Sequence, residues 1–137
     1  MTFILVELED EDALRAVSTT SGVVIAELDE GWNQSFVGTY FYVRLADSED
    51  GTLNLRTRMI EGLLEDPTTG SVASTVTGYL SETRETEPNT EVCCHTGVEM
   101  GRRSNIGVEV GMAETHCISS INLFRRAVQV INRRLEA

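Results

Sequence analysis

Residues Glu65–Leu80 read EDPTTGSVASTVTGYL, and the reading of this stretch decides the fold. The ring of Pro67 disfavours the α region at Asp66, so the chain arrives there extended. Thr69 or Ser71 can then cap a helix by accepting a bond from one of its unpaired backbone donors, and Gly70 lets the backbone approach whatever lies in front. From Gly70 to Leu80 small residues stand on nearly every side, with Val72, Val76, Tyr79 and Leu80 at spacings a helix would align. Such a helix belongs inside other structure. Open N–H groups and the positive end of the helix dipole make its start a natural place for a carboxylate or phosphate. Spacing alone favours an ordinary capped helix start behind a proline over such a site.

The flanks read as strands. FILVEL is an apolar run of strand length, and EDEDALRAV after it is a short helix with acids in its first turn. VVIAEL is ambiguous between strand and helix. SFVGTYFYVRL, rich in aromatic and β-branched residues, is the clearest strand, and ADSEDG after it is a turn. TLNLRTRM alternates Leu53, Leu55 and Thr57 against Asn54, Arg56 and Arg58, which predicts a strand with one buried face and a hairpin with its predecessor. Downstream, SETRETEPNT is a loop; EVCCHTGVEM, SNIGVEVGM, HCISSINLF and AVQVINRRL read as strands. Residues 1–137 form one α+β domain, a curved, mostly antiparallel sheet wrapped around one central helix.

Composition narrows the function classes. All eleven positive charges are arginines, against 22 acids, for a net charge of -11. That balance argues against nucleic acid or an anionic membrane, which need a positive field opposite their phosphates. Small molecules and other proteins remain as partners. The start MTFILVELEDED lacks the pattern of a signal peptide, no apolar run is long enough to span a membrane, and a soluble cytoplasmic protein is expected. Cys93, Cys94 and Cys117 are expected as free thiols. No metal site is expected from Cys93, Cys94, His95, His116 and Cys117, because strand neighbours point to opposite faces and no C-x-x-C or H-x-x-x-H spacing converges them.

RTRMIEGLLEDPTTGSVASTVTGYLS resembles the central motif of the PhzF-like phenazine biosynthesis family: R-x-F, a spacer, then E-D-P-x-T-G-S-A before a buried helix ending in Y-L. GVEMGRRSNIGVEV is similar to the same family's G-x-x-M-G-R-P-S-x-I-x-V-x-V block. MTFILVELEDEDAL and ISSINLFRRAVQVI resemble the start and end of the family's second, C-terminal half. The resemblance implies half of a diaminopimelate-epimerase-like fold, with the active site in the cleft between two similar halves. It also implies proton transfer beside a carbonyl or carboxylate without any cofactor. Asp66, Gly70 and Ser71 fall at its binding or catalytic positions. The family's catalytic glutamate and G-N-P-T type motif belong to the other half. Thr96-Gly97 stands where Gln-Gly is usual, Arg103 replaces the proline, and Phe124-Arg125 and Asn132-Arg133 stand where glycines are expected.

The resulting expectation is a cofactor-independent isomerase or cyclase of secondary metabolism acting on a small carbonyl- or carboxylate-bearing metabolite. A half-domain alone exposes the face that meets its partner, which favours a homodimer with its cleft between two copies. The alternative is a non-catalytic binding or assembly module that pairs with a separate partner half. Asp66 or Glu65 is expected to carry the proton, with Ser71 beside them. The amides of Gly70 and Ser71, with Thr69, would hold an oxyanion or carboxylate. Arg58 would pair with substrate or with Glu61, His95 is a second acid–base candidate, and Tyr40, Tyr42 and Trp32 would be either cleft walls or core.

Overall fold

A computed structural model of the chain describes residues 1–19, 28–32, 37–67, 69–83 and 85–125. Along these residues run β1 (Thr2–Glu7), α1 (Glu11–Ala16), β2 (Val37–Arg44), β3 (Leu53–Glu61), β4 (Leu64–Asp66), α2 (Gly70–Glu82), β5 (Glu91–Thr96), β6 (Ser104–Met112) and β7 (Ile118–Arg125). They build one mixed sheet in the order β1-β2-β3-β5-β6-β7, with β4 also on β3. The β1–β2 and β3–β5 pairs are parallel and the other four antiparallel.

The sheet curves because both of its ends reach the same helix. Val72, Val76 and Leu80 of α2 are fully buried in a cluster with Tyr40, Leu55, Met59, Val92, Cys94 and Val108. Phe3 and Leu5 from β1, and Met112 and Ile118 from the β6–β7 end, pack against that same cluster. Each buried aliphatic side chain contributes about 1.5–3 kcal/mol. Hydroxyls inside α2 are satisfied locally: Ser74, Thr75, Thr77 and Ser81 each donate to the carbonyl four residues back, at 2.8–3.1 Å. These bonds let a polar, small-residue helix occupy a dry interior.

The sheet's other face carries α1. Asp10 caps it by accepting from the amide of Ala13 at 2.7 Å, and Leu14 packs with Phe41 and Val43. Helical structure therefore lies on both faces, not on one alone. This explains β2, whose middle six residues are all buried: Tyr40 and Tyr42 face α2, while Phe41 and Val43 face α1. A strand covered on both sides reads as a continuous apolar run.

Other readings shift slightly. Helix α2 continues two residues past Leu80, and the short strand β4, not foreseen, places Glu65 and Asp66 in the sheet. Most of the apolar run at 23–28, the start of SFVGTYFYVRL and the final AVQVINRRL lie outside the described residues. Among the described residues no helix is long and apolar enough to cross a membrane.

Candidate active site

The site is set by how two short strands share one edge of β3. β5 pairs with β3 from Leu53 to Thr57, and β4 pairs with it from Met59 to Glu61. The last residues of β4 and β5 therefore abut. The antiparallel register sets Asp66 opposite Met59 and Glu65 opposite Ile60. Directly paired residues share a face of the sheet, and successive residues along a strand change it. Met59 is buried against α2, whereas Ile60 packs with the α1 cluster. The two neighbouring acids are thereby sent to opposite sides of the sheet, Asp66 to the α2 side and Glu65 to the α1 side.

On the α1 side Glu65 meets Arg58. The Arg58 Nε donates to Glu65 Oε1 and Nη2 to Oε2, both at 2.8 Å, the two-pronged pairing a planar guanidinium favours. Nη1 donates to the carbonyls of Leu14 at 2.8 Å and Val17 at 2.6 Å. The side chains are 7% and 12% exposed. The Glu65 carboxylate holds the Arg58 guanidinium above the ordinary arginine range, against the opposing cost of burial. Arg58 thus pairs with Glu65 and not with Glu61, and both carboxylate oxygens of Glu65 are engaged.

On the α2 side a cavity of about 500 Å³ opens, lined by Met1, Phe3, Met59, Leu64 and Pro67 together with Glu61, Glu65, Asp66, Thr69 and Ser71. No arginine is among these lining residues. Asp66 is exposed at this mouth. Thr69 occupies the cap position of α2 in extended backbone, but its side chain makes no capping bond and its hydroxyl is buried without a hydrogen-bond partner. Ala73 is the first residue whose amide bonds back along the helix, to Thr69 O at 3.3 Å. The first-turn amides of α2 lie ahead of the helix's own bonding pattern, and its positive end borders the cavity at Thr69 and Ser71. On its far side Gly70 is closed in: a Cβ there would lie 2.9 Å from Leu123 Cδ2.

Tyr40 and His95, also expected at the site, do not line this cavity. Tyr40 is 1% exposed in the core under α2, with its hydroxyl facing Thr57 and Cys94 but making no hydrogen bond of ordinary geometry. Burial pushes its pKa well up. His95 alternates with the buried Cys94, so it stands on the face away from α2, its ring between Asn105 Oδ1 at 2.8 Å and Asn54 Oδ1 at 3.1 Å. Tyr42 is core, and Trp32 is 61% exposed in a turn outside the cavity lining. Glu65, Asp66, Thr69 and Ser71 are the expected residues that border this cavity, and Gly70 lines a neighbouring one with Ile106, Leu123 and Phe124.

The second sequence block, 97–110, also reaches this mouth. Gly97 has φ +70°, and a Cβ on it would clash with the carbonyl of Arg102 and approach Pro67 O to 2.9 Å. The turn closed by Arg102 N–H to Gly97 O at 2.9 Å therefore presses on the Pro67 peptide, joining blocks 30 residues apart along the sequence. Sequence reasoning missed the apolar lining from Met1, Phe3, Met59 and Leu64. Only the strand order brings β1 and β4 to the same place, and no local pattern signals it.

A search of curated proteins finds no match to this sequence. The model of the family described as "PhzC-PhzF: Phenazine biosynthesis-like protein" matches residues 1–133, which cover both blocks and the cavity they border. The chain belongs to that phenazine biosynthesis-like family.

Proposed function

We infer that the chain is an isomerase-type protein, the chemistry its family suggests, and that it forms a cofactor-independent isomerase or cyclase acting on a small carbonyl- or carboxylate-bearing metabolite. The observation that carries this reading is the convergence of Asp66 with the amides that open α2, where Thr69 and Ser71 line the same cavity mouth. A carbonyl or carboxylate oxygen held by those amides gains most stabilisation as negative charge develops on it, because the donors are already fixed in place. Asp66 then exchanges a proton with the neighbouring carbon, and the apolar walls keep that transfer away from bulk water. With acids lining the cavity and no arginine, the α2 terminus supplies the positive potential an anionic group needs.

The cleft is completed by a second copy. Apolar side chains stand exposed on both sides of the α2 start: Met1 at 80%, Leu63 at 78% and Leu64 at 71% on one, Leu123 at 52% and Phe124 at 45% on the other. A rim of that kind favours burial against a partner, and a two-fold pair sets two such mouths face to face. Sedimentation velocity is expected to show a dimer. Proton exchange into a panel of small oxo acids and cyclic carboxylates, followed by NMR in deuterated water, is expected to fall at least about 100-fold in Asp66→Asn and about tenfold in Ser71→Ala. A strict monomer, or unchanged exchange in both variants, would refute the reading. Binding without turnover would identify a small-molecule carrier or an assembly subunit instead.

A further inference from the structure

We propose that Arg58 is a positioning residue for the cavity mouth, acting from the opposite face of the sheet by holding Glu65 so that Asp66 is the carboxylate presented. β4 is only three residues long, and Glu65 and Asp66 are adjacent in it. A strand this short has few ladder bonds to fix its rotation about its own axis, and a turn of its backbone would exchange the two acids. The Arg58 fork supplies the missing constraint. It grips both oxygens of Glu65 while its third nitrogen is bound to the carbonyls of Leu14 and Val17 at the end of α1, so the fork itself is anchored.

The neighbouring arginine on the same face ties the second loop by a single prong, leaving its own Nε and Glu99 Oε2 without a hydrogen-bond partner among the described residues. Arg56 Nη2 donates to Glu99 Oε1 at 2.7 Å and Nη1 bonds Glu11 at the start of α1. Their side chains are 13%, 12% and 42% exposed, respectively. Two successive outward-facing arginines of β3 therefore tie α1 at both its ends to the segments that carry Glu65 and Glu99. A buried, forked pair such as Arg58–Glu65 fixes geometry, and breaking one side leaves an unpaired charge. A mobile surface arginine would do neither.

The consequence for catalysis rests on the reading under Proposed function, but the constraint itself is testable without any substrate. Arg58→Lys keeps the charge and loses the fork; Glu65→Gln keeps the arginine and its α1 bonds. In both, amide hydrogen exchange at residues 64–66 is expected to rise about tenfold or more, while Val76 in α2 and Val108 in β6 stay at wild-type rates. Because both variants break the same Arg58–Glu65 fork, the double variant is expected to loosen 64–66 no more than Arg58→Lys alone. Unchanged exchange at 64–66, or an equal rise at Val76 and Val108, would overturn the proposal; if Arg58→Lys does not fold, Glu65→Gln decides alone. A second arm titrates pyruvate, which carries both a carbonyl and a carboxylate. The Gly70 and Ser71 amide resonances are expected to respond in the wild type and to need several-fold more pyruvate in Arg58→Lys. Equal response in both proteins overturns the proposal, whereas no response in either refutes the reading of the mouth and leaves the exchange arm to decide.

Discussion

At the scale of single residues, position in the sheet settles chemical role more firmly than residue type. Glu65 and Asp66 are adjacent carboxylates that both border the cavity, yet Glu65 is committed to Arg58 while Asp66 is the exposed one. Gly97 shows the same dependence on surroundings. Its positive φ would strain any larger residue by about 1–2 kcal/mol, and a Cβ would in addition meet the Arg102 and Pro67 carbonyls. Gly62 has φ +57° but nothing within 4 Å of where its Cβ would stand. Gly97→Ala is therefore expected to cost at least about 1 kcal/mol more than Gly62→Ala in urea denaturation, and alone of the two to shift the amide resonances of Asp66 and Ser71. Equal costs would mean that the turn yields and that Pro67 is not held by it.

At the scale of elements, α2 was readable from the sequence because its determinants are local: Pro67 stops the preceding strand, Gly70 opens the helix, and valines recur at helical spacing. The fate of Arg58 was not readable. Its bonds to Leu14 and Val17 span 44 and 41 residues, and its fork to Glu65 exists only once the β3–β4 hairpin has formed. The places of Tyr40 and His95 were not readable for a related reason: alternation along a strand separates two faces but does not say which one α2 covers. Within α2 the polar and apolar buried positions should behave differently. Leu80→Ala is expected to cost about 2–5 kcal/mol, as deletion from a fully buried site does. Thr77→Val is expected to stay within about 1 kcal/mol, because the Ala73 carbonyl that Thr77 Oγ1 bonds at 2.8 Å still has the helix's own amide as partner. Chemical denaturation of both variants checks the contrast; a large loss in Thr77→Val would show that the hydroxyl is essential to the helix.

At the scale of the whole molecule, the core joins groups that ionise only in alkali, and this gives stability a defined pH dependence. Burial pushes the Cys94 thiol from its ordinary 9.0 up to about 12, and burial together with the Glu7 carboxylate pushes Tyr42 from 10.0 up to about 12. Tyr40 is raised by burial and by Cys94. In each case the folded protein keeps a proton that the unfolded chain releases at the ordinary value. The unfolded state then binds fewer protons, so stability falls as pH rises. The contribution is complete below about pH 9, begins to be lost as the unfolded thiol ionises, and declines further above pH 10 when the tyrosines join. Thermal unfolding followed from pH 7 to 11 is expected to show a plateau and then this decline. Cys94→Ala isolates the thiol. At neutral pH the variant is expected to be about 1 kcal/mol less stable, for the lost packing of a fully buried side chain. That deficit should shrink between pH 9 and 10, because the variant has no thiol whose unfolded form can ionise. A deficit that stays constant through pH 10.5 would mean that Cys94 ionises as readily inside the fold as outside it, and that the layer between β3, β5 and α2 is not dry.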